Sequence, residues 1–342
     1  MATFLDLETT IYAGEPEDHC FPVVDDNIAQ GETSEAPNGS SKYRIKQSVE
    51  DSIDSVSSEK TEAGERTYAE FRKGKYPLPN DLKEQQRLNL QHELFRITLE
   101  GRMFLAPITN PSSALDVAAG TGVWAIEFAN LFPSTQVLGT DLSAIQPKEL
   151  PKNCHFELHD AEEDWNFPEK FDYIHGRALL SCFTDPAAVL KRAYDSLTPG
   201  GYLELHDGKF PFQYIGEPPK DSAMYKWNET VMAGAAKAGR PWTGTPNYKR
   251  WMEELGFEDV VEKLYYWPTS GWAKGEYYKA LAAYWQVNLV GGLEGISMKV
   301  MTGLGWKEDD VRIFLEEVRK DVKDTSIHAY LQIHVVYGRK PS

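Results

Sequence analysis

The sequence is poor in cysteine, in basic charge and in long apolar runs. Its 342 residues include only three cysteines, Cys20, Cys154 and Cys182, too few and too scattered for a disulfide framework or a thiolate metal site. The formal net charge of −16 argues against non-specific binding to nucleic acid or to anionic membranes. No apolar run reaches membrane-spanning length, and the amino terminus lacks the basic residues and apolar core of a secretory signal. We therefore expect a protein of the cytoplasm, with the nucleus as an alternative.

Acidic residues are concentrated at the amino terminus. Residues 1–65 contain 15 acidic and 4 basic residues, so this segment holds −11 of the total charge of −16. Residues 1–64 are also rich in Ser, Glu, Asp, Gly and Pro, a composition that buries too little apolar surface to become ordered. We predict a mostly disordered acidic leader over 1–64, with an arm that folds over a ligand as the alternative.

Residues 65–342 alternate between short apolar runs and helical patterns. Over 65–110 we predict a helical lid, whose long helix starts at about Leu82 with Asn80 or Asp81 as its N-cap. Over 111–210 strands and helices alternate with short turns, which predicts a doubly wound α/β fold, a parallel sheet with helices on both faces. Over 211–342 we predict a helical cap together with the last two strands.

Local changes of pattern predict where the fifth strand and the helices of the cap begin and end. The fifth strand is expected over Tyr202–His206, because the pattern changes after Asp207. In the cap, helices are expected near 220–238, 246–255, 274–290, 293–303 and 308–322.

Residues 114–143, ALDVAAGTGVWAIEFANLFPSTQVLGTDLS, predict a β-α-β unit. An apolar run that contains Asp116 is followed by Gly120 and Gly122, helical spacing begins at Val123, and a second apolar run ends at Asp141. Glycines in such a turn bring the backbone close to a ligand, and the helix start offers free N–H groups. A carboxylate at the tip of the neighbouring strand can accept hydrogen bonds from both hydroxyls of a ribose.

Further polar residues follow other strand ends, where doubly wound sheets bind ligands. Asp160, with the N–H of Ala161 beside it, is placed to meet an adenine amino group, and His175 lies at the end of the fourth strand. Together these residues predict an adenosine-bearing ligand. NAD stays open, because the third-glycine slot of its fingerprint is Ala125, which that fingerprint tolerates, although Trp124 would crowd a pyrophosphate. A Walker loop is excluded, because the turn contains no lysine.

Five blocks of sequence follow one another along the chain: LDVAAGTGVWAIEFANLFP, VLGTDLSAIQP, HDAEEDW, FDYIHGRALLSCFTD and LTPGGYLELHD. In this order they resemble the motif series of class I S-adenosylmethionine-dependent methyltransferases, and more narrowly the fungal LaeA-like group of secondary metabolism. The resemblance covers roughly residues 66–341. It implies a Rossmann-like sheet with an antiparallel last strand and S-adenosyl-L-methionine as the cofactor.

The resemblance also implies roles by position. The turn would border the methionine part, Asp141 would hold the ribose and Asp160 would bind the adenine edge. Ala118 stands where the family often has glycine, a departure that we expect to be tolerated. The cofactor contacts expected in this way are Asp116, Ala118, Gly120, Thr121, Gly122, Asp141, Leu142, Asp160, Ala161, His175 and Arg177.

Two histidines are candidate general bases. His175 and His206 end separate strands, and a neutral imidazole there could take a proton from a substrate, although a structural role is an equal alternative for each. His92, in the lid helix, favours a structural role. Methyl transfer is an in-line displacement with a good leaving group, so alignment and exclusion of water can supply much of the rate without a base.

Eight aromatic residues crowd the segment 264–285. From these we predict that Tyr265, Trp267, Trp272 and Tyr278 wall a pocket for a flat organic substrate, with packing against the sheet as the alternative. The spacing of His, Cys and carboxylates suggests no metal site.

The function expected from the whole chain is methyl transfer to a small organic metabolite of fungal secondary metabolism, on O, N or S. We expect a small-molecule substrate, no nucleic acid or membrane partner, and a monomer or homodimer. Three alternatives stay open. They are a LaeA-like regulator that acts through protein partners, a cofactor-binding relative that catalyses a non-methylating, pericyclic-type reaction, and a nucleotide-binding module without chemistry.

Overall fold

The computed structural model describes residues 66–342, so the predicted leader lies outside the described residues. Seven strands form one sheet in the order β3-β2-β1-β4-β5-β7-β6. The strands are β1 Ser113–Val117, β2 Gln136–Asp141, β3 Cys154–Leu158, β4 Phe171–Arg177, β5 Leu197–Tyr214, β6 Glu258–Pro268 and β7 Ala329–Arg339. Strands β1 to β5 pair in parallel, whereas β7 runs antiparallel to both β5 and β6. This is the doubly wound fold with an antiparallel last strand that the sequence predicts.

Seven α-helices flank this sheet in the described residues. They are α1 Leu82–Thr98, α2 Val123–Leu131, α3 Pro186–Ser196, α4 Ala223–Lys237, α5 Tyr248–Leu255, α6 Glu276–Gly303 and α7 Glu308–Lys323. No helix between residues 66 and 342 is long and apolar enough to cross a membrane.

Local capping explains where several helices begin. The side chain of Asp81 accepts a hydrogen bond from the Glu84 N–H, which confirms the predicted start of α1. Asp185 caps α3 in the same way, through the N–H of Ala188, and Pro186 occupies the first helical position. The start of α1 lies close to the end of β2, because the side-chain amide of Asn80 donates a hydrogen bond to the hydroxyl of Ser143.

The predicted break between helices at 290 and 293 is wrong, because α6 is continuous from Glu276 to Gly303. Its glycines serve close packing. A Cβ on Gly292 would lie 3.0 Å from Cδ of Arg87 on α1, and one on Gly295 would lie 3.2 Å from Cδ of Pro79. The small residues let the lid lie directly on α6.

The predicted end of the fifth strand at His206 is also wrong. Strand β5 continues to Tyr214 because β7 supplies a long antiparallel partner, and the pairing runs as far as Tyr214 with Ala329. The register shifts between Lys209 and Gln213, around Pro211, which has no N–H to donate to the ladder.

Two layers of apolar packing position the site. On one face of the sheet, residues of α1, α4, α6 and α7 form a core that contains Trp227, Trp267 and Trp272, all at most 1% exposed. Around β1 and α2, a second core contains Trp124 and Phe128, whose rings stack 4.8 Å apart. The tips of β1, β2 and β4 and the start of α1 line one pocket beside these cores.

Candidate active site

A pocket opens at the carboxyl ends of the parallel strands, under the start of α1; we call it the strand-tip pocket. It contains about 1070 Å³ of empty space, including its open mouth. Its walls come from the glycine turn, from the acids that follow β2 and β3, from the end of β4 and from the lid. Ten of the eleven cofactor residues expected from the sequence line it: Asp116, Ala118, Gly120, Thr121, Asp141, Leu142, Asp160, Ala161, His175 and Arg177.

The remaining residue, Gly122, lies behind the pocket wall. Its φ of +77° is in the left-handed region, and a Cβ there would lie 2.4 Å from Cζ of Phe156. Gly120 has a φ of +57°, and the nearest atom to its would-be Cβ is Cδ1 of Leu88 at 3.5 Å. Ala118 also has a positive φ, +54°, a conformation that glycine adopts at lower cost than alanine.

Asp141 fastens the glycine turn to the tip of β2. One carboxylate oxygen accepts the N–H of Gly120 at 2.8 Å, and the other accepts the N–H of Ser143 at 2.8 Å. Burial raises the pKa of Asp141 to about 6, against the effect of these hydrogen bonds. The carboxylate faces the pocket as an acceptor-rich group that can receive further donors.

Asp160, beyond the tip of β3, is 3% exposed and accepts the N–H of Glu162 at 3.0 Å. Its other oxygen pairs with Lys75, which also lies 3.3 Å from Glu162. Lys75 belongs to the segment before α1, so these ion pairs fasten the lid over this end of the pocket. Lys75 is not among the residues expected from the sequence, because no strand end or turn marks it.

His175 and Asp116 face each other across the pairing of β4 with β1. Nδ1 of His175 lies 2.8 Å from Oδ1 of Asp116, and its ring stacks on Trp124 at a centroid distance of 3.7 Å. Burial lowers the pKa of His175 and raises that of Asp116, so the imidazole is neutral. Nε2 of His175 is buried without a hydrogen-bond partner among the described residues.

His206 lies behind His175, edge-on at a centroid distance of 5.1 Å. It is fully buried, and its Nε2 lies 2.7 Å from Oε1 of Glu204. That carboxylate also accepts the N–H groups of Leu105 and Ala106. Glu204 therefore orients His206. His206 is not among the residues that line the strand-tip pocket.

Arg177 ends β4, and a chain of hydrogen bonds through α1 and α2 holds its side chain in place. Its guanidinium donates to Nδ1 of His92 at 2.9 Å and lies over the ring of Phe95. Nε2 of His92 lies 3.0 Å from Glu127. Ligand atoms of His92, Glu93 and Glu127 come within 4.8 Å of one another, but both ring nitrogens of His92 already have partners.

A second cavity adjoins the first between the lid, the sheet and α6; we call it the aromatic pocket. Most of its walls are rings and branched aliphatic side chains, among them Phe95, Phe210, Trp242, Trp267 and Trp285. Nε1 of Trp285 is buried with no hydrogen-bond partner among the described residues. Four residues line both pockets: Tyr76, Leu88, Gln91 and Ala178.

Of the four substrate-pocket residues expected from the sequence, only Trp267 lines the aromatic pocket. Tyr265, Trp272 and Tyr278 belong to the core, and Nε1 of Trp272 donates to the carbonyl of Ala329. The positions of these three residues agree with the alternative that the aromatic segment packs against the sheet. Of the other five rings of the pocket, Trp285 belongs to the same aromatic segment as Trp267. The remaining four come from places distant in sequence, so no local pattern could group them: Tyr76, Phe95, Phe210 and Trp242.

Comparison with known proteins places the chain in a family. Residues 90–262 match the family described as Methyltransferase domain. The chain is 32% identical over 280 residues to the methyltransferase pytC of Aspergillus terreus, covering 81% of this chain and 86% of that protein. It is also 32% identical over 316 residues to the secondary metabolism regulator laeA of Aspergillus flavus, covering 90% of this chain and 85% of that protein. The chain belongs to the methyltransferase-domain family, and its relatives include fungal proteins of secondary metabolism.

Solved structures give a more distant likeness. A phosphoethanolamine N-methyltransferase 2 of Haemonchus contortus, solved with S-adenosylhomocysteine, matches at 16% identity and a TM-score of 0.44, covering 75% of this chain and 52% of that one. A putative methyltransferase of Bacillus halodurans matches at 17% identity and a TM-score of 0.42, covering 75% of this chain and 100% of that one.

Proposed function

We propose that the protein transfers a methyl group from S-adenosylmethionine to O, N or S of a flat, largely apolar small molecule. The observation that supports this most strongly is the pair of adjoining pockets. The strand-tip pocket presents acids and backbone groups suited to an adenosine ligand, and the aromatic pocket presents ring faces. Tyr76, Leu88, Gln91 and Ala178 line both, so a group bound in one pocket can reach a molecule bound in the other.

The residues of the strand-tip pocket fit the cofactor. Asp141 faces the pocket as a carboxylate acceptor for two ribose hydroxyls, and Asp160 with the N–H of Ala161 offers an acceptor and a donor to an adenine edge. Leu142 supplies an apolar surface for the base. Nε2 of His175, which has no hydrogen-bond partner within residues 66–342, lies further along the sheet. When bound, the cofactor supplies a methyl group on a positively charged sulfur.

The aromatic pocket would hold the acceptor by stacking. Trp242, Trp267 and Trp285 offer indole faces, against which a flat ring system buries apolar area. The N–H of Trp285 has no partner in the part of the chain that the structure describes. It fits an acceptor whose ring carries a carbonyl or ether oxygen, because a buried donor without a partner costs free energy.

The chain's own contribution to the reaction is alignment, exclusion of water and, at one atom, acceptance of a proton. Burial raises the pKa of Asp116 to about 8. Above that pH, Nδ1–H of His175 donates to the ionised carboxylate, Nε2 is left as the acceptor, and Trp124 fixes the plane of the ring. We therefore propose His175, and not His206, as the base for acceptors that must lose a proton.

Calorimetric titration tests the cofactor, and label transfer tests the reaction. We expect micromolar binding of S-adenosylmethionine and S-adenosylhomocysteine, no binding of NAD, and transfer of a labelled methyl group to an extractable small molecule from fungal metabolite extracts. The control is His334→Gln, since His334 on β7 is a buried histidine paired with a carboxylate, Glu262, and lines neither pocket. Binding of NAD alone would contradict the proposal.

A second candidate is a regulator of secondary metabolism that acts through protein partners. The observation that favours it is the match to laeA, which covers 90% of this chain. It predicts a stable complex with other proteins in cell extracts and methyl label on protein. Label on a small molecule, with the protein migrating alone or as a homodimer, favours the enzyme.

A further inference from the structure

The segment before α1 forms a loop whose two ends meet. The N–H of Asn80 donates to the carbonyl of Thr67 at 2.8 Å, and the hydroxyl of Thr67 donates to Oδ1 of Asn80 at 2.8 Å. The ammonium of Lys299, on α6, lies over the ring of Tyr68, 3.4 Å from its centroid. Residues 67–80 therefore form a loop of the Ω type that is closed at its base and fastened there to α6.

The far part of this loop, residues 70–76, has little backbone support; we call it the lid tip. Arg72, Lys73 and Gly74 are exposed, and the N–H of Lys75 donates to the carbonyl of Arg72 inside the tip itself. Among the described residues, no backbone–backbone hydrogen bond joins the lid tip to a residue outside the loop. A segment of this kind opens at a low cost in free energy, so side chains must hold it in place.

Three acids in the turn after β3 hold the lid tip. Lys75 pairs with Asp160 and lies 3.3 Å from Glu162, and Arg72 pairs with Glu163. The side chain of Asp160 is 4% exposed and that of Lys75 is 26% exposed, whereas those of Arg72 and Glu163 are each 46% exposed. Because ion pairs that solvent reaches contribute little, Lys75 is the stronger of the two attachments.

Glu162 is a fixed point for this attachment. It accepts the N–H groups of Thr184 and Asp185 at the start of α3, and it lies 3.4 Å from the guanidinium of Arg240. Burial raises the pKa of Glu162, but hydrogen bonds from Thr184 and Asp185 and the charge of Arg240 lower it to about 2. The carboxylate is therefore ionised and held in place when Lys75 approaches it.

The lid tip covers the strand-tip pocket where the two pockets adjoin. Tyr76 lines both pockets, whereas Pro79 and Asn80, at the base of the loop, line only the strand-tip pocket. Asp160, the partner of Lys75, belongs to the wall where we propose that the adenine binds. A ligand of nucleoside size that enters at this end must therefore pass the contact between Lys75 and the acids.

We propose that the lid tip is a gate for the cofactor, and that the pairing of Lys75 with Asp160 and Glu162 is the latch that keeps the gate closed. The gate rests on the proposed cofactor. Its closure also brings Tyr76 to the place where the two pockets meet, so one movement encloses the cofactor and completes a wall of the aromatic pocket. A latch that acts alike on the free and the bound protein slows entry and release by the same factor and leaves the affinity unchanged.

The test measures how fast radiolabelled S-adenosylhomocysteine binds to the full chain and leaves it. Rapid mixing gives the association rate, a chase with unlabelled ligand gives the release rate, and calorimetry gives the Kd. Lys75→Met removes the charge of the latch and should raise both rates at least about fivefold, because charge-assisted hydrogen bonds are lost. The Kd should change by less than about threefold.

Three further variants test the identity of the latch. Lys75→Arg keeps a cation and should restore the slow rates. Arg72→Met removes the exposed pair and should raise the rates less than Lys75→Met does. Lys191→Met is the matched control and should leave both rates unchanged, because Lys191 pairs with Asp195 on α3 and lines neither pocket.

The outcomes separate a gate from a ligand contact and from the cofactor itself. A rise of the release rate alone in Lys75→Met would overturn the gate, because loss of a ligand contact has that effect. Unchanged rates in Lys75→Met would also overturn it, as would a Lys75→Arg variant with the fast rates of Lys75→Met. No binding of S-adenosylhomocysteine to the unsubstituted protein would overturn the proposed cofactor and the gate together.

Discussion

The strand-tip pocket and the aromatic pocket share four lining residues, yet they are built from different kinds of sequence. Most of the first comes from residues 116–183, where polar groups lie at the ends of the parallel strands or in the turns that follow them. The second combines α1, the end of β5, the loop after α4, β6 and α6. The difference teaches that local turns at the edge of the sheet fix one pocket, whereas packing between distant segments of the cap forms the other.

The largest effect on stability is expected from a substitution in the glycine turn of the strand-tip pocket. Gly122→Ala places a Cβ 2.4 Å from Phe156 in a residue with a φ of +77°. Left-handed strain and overpacking together should lower the free energy of unfolding by about 2–5 kcal/mol. Gly120→Ala is the matched control, because its nearest atom is 3.5 Å away, and strain alone should cost about 1–2 kcal/mol. Denaturant unfolding measures both, and equal losses would contradict the role of Phe156.

The next effect concerns the carboxylate at the tip of β2. Asp141→Asn should weaken S-adenosylhomocysteine at least about tenfold near pH 8, because a charged acceptor for two hydroxyls is lost. Burial raises the pKa of Asp141 to about 6, and ribose donors favour its ionised form. Affinity should therefore fall as the pH drops through about 6, and this step should disappear in the variant.

Calorimetry at several pH values checks this prediction. Asp172→Asn serves as the control, because Asp172 lies near the opposite end of β4 and accepts the N–H of Ser112. A variant profile that keeps the step near pH 6 would assign the titration to another group.

A smaller effect sharpens the account of the aromatic pocket. Trp267→Phe removes an N–H that donates to Thr98 at 2.8 Å, whereas Trp285→Phe removes one without a partner. The first should therefore destabilise the protein by about 1 kcal/mol more than the second. Thermal and denaturant unfolding of the two variants give the comparison. Conversely, Trp285→Phe should weaken an acceptor that carries a ring oxygen, provided that the acceptor uses this donor.

The smallest effect tests the departure from the family turn. Ala118 has a φ of +54°, so Ala118→Gly should relieve left-handed strain of about 1–2 kcal/mol. The greater freedom of glycine in the unfolded chain offsets about 0.5–1 kcal/mol of this gain. We expect a net stabilisation of about 0.5–1 kcal/mol. Ala119→Gly, at a position without a positive φ, should destabilise instead.

Sequence was sufficient where a local signal fixes the geometry. The capping acid Asp81 marks the start of α1, and the strand ends before Gly120, at Asp141 and before Asp160 follow from apolar runs and turns. Ten of the residues expected from these signals, together with the family resemblance, line the strand-tip pocket. Their roles toward a cofactor stay predictions until the titrations are done.

The rest depends on contacts between distant segments. Gly292 favours a helix break by composition, but in the structure it admits Arg87 of the lid, so α6 continues. The aromatic segment 264–285 contains rings of the core and rings of the pocket. Which rings line the pocket depends on which face of β6 or α6 packs against α1. The ion pair of Lys75 with Asp160 and the hydrogen bond of His92 with Glu127 each join residues that are 35 or more positions apart. The periodicity of apolar residues along a sequence does not indicate such pairs.

The most direct measurement is a crystal structure of the protein grown with S-adenosylhomocysteine. Our account predicts the adenine beside Asp160 and Ala161, the ribose hydroxyls on Asp141, and the sulfur facing the residues that line both pockets. The aromatic pocket should hold no part of the ligand. S-adenosylhomocysteine bound among the rings of the aromatic pocket, or its absence from the strand-tip pocket at saturating concentration, would contradict the account.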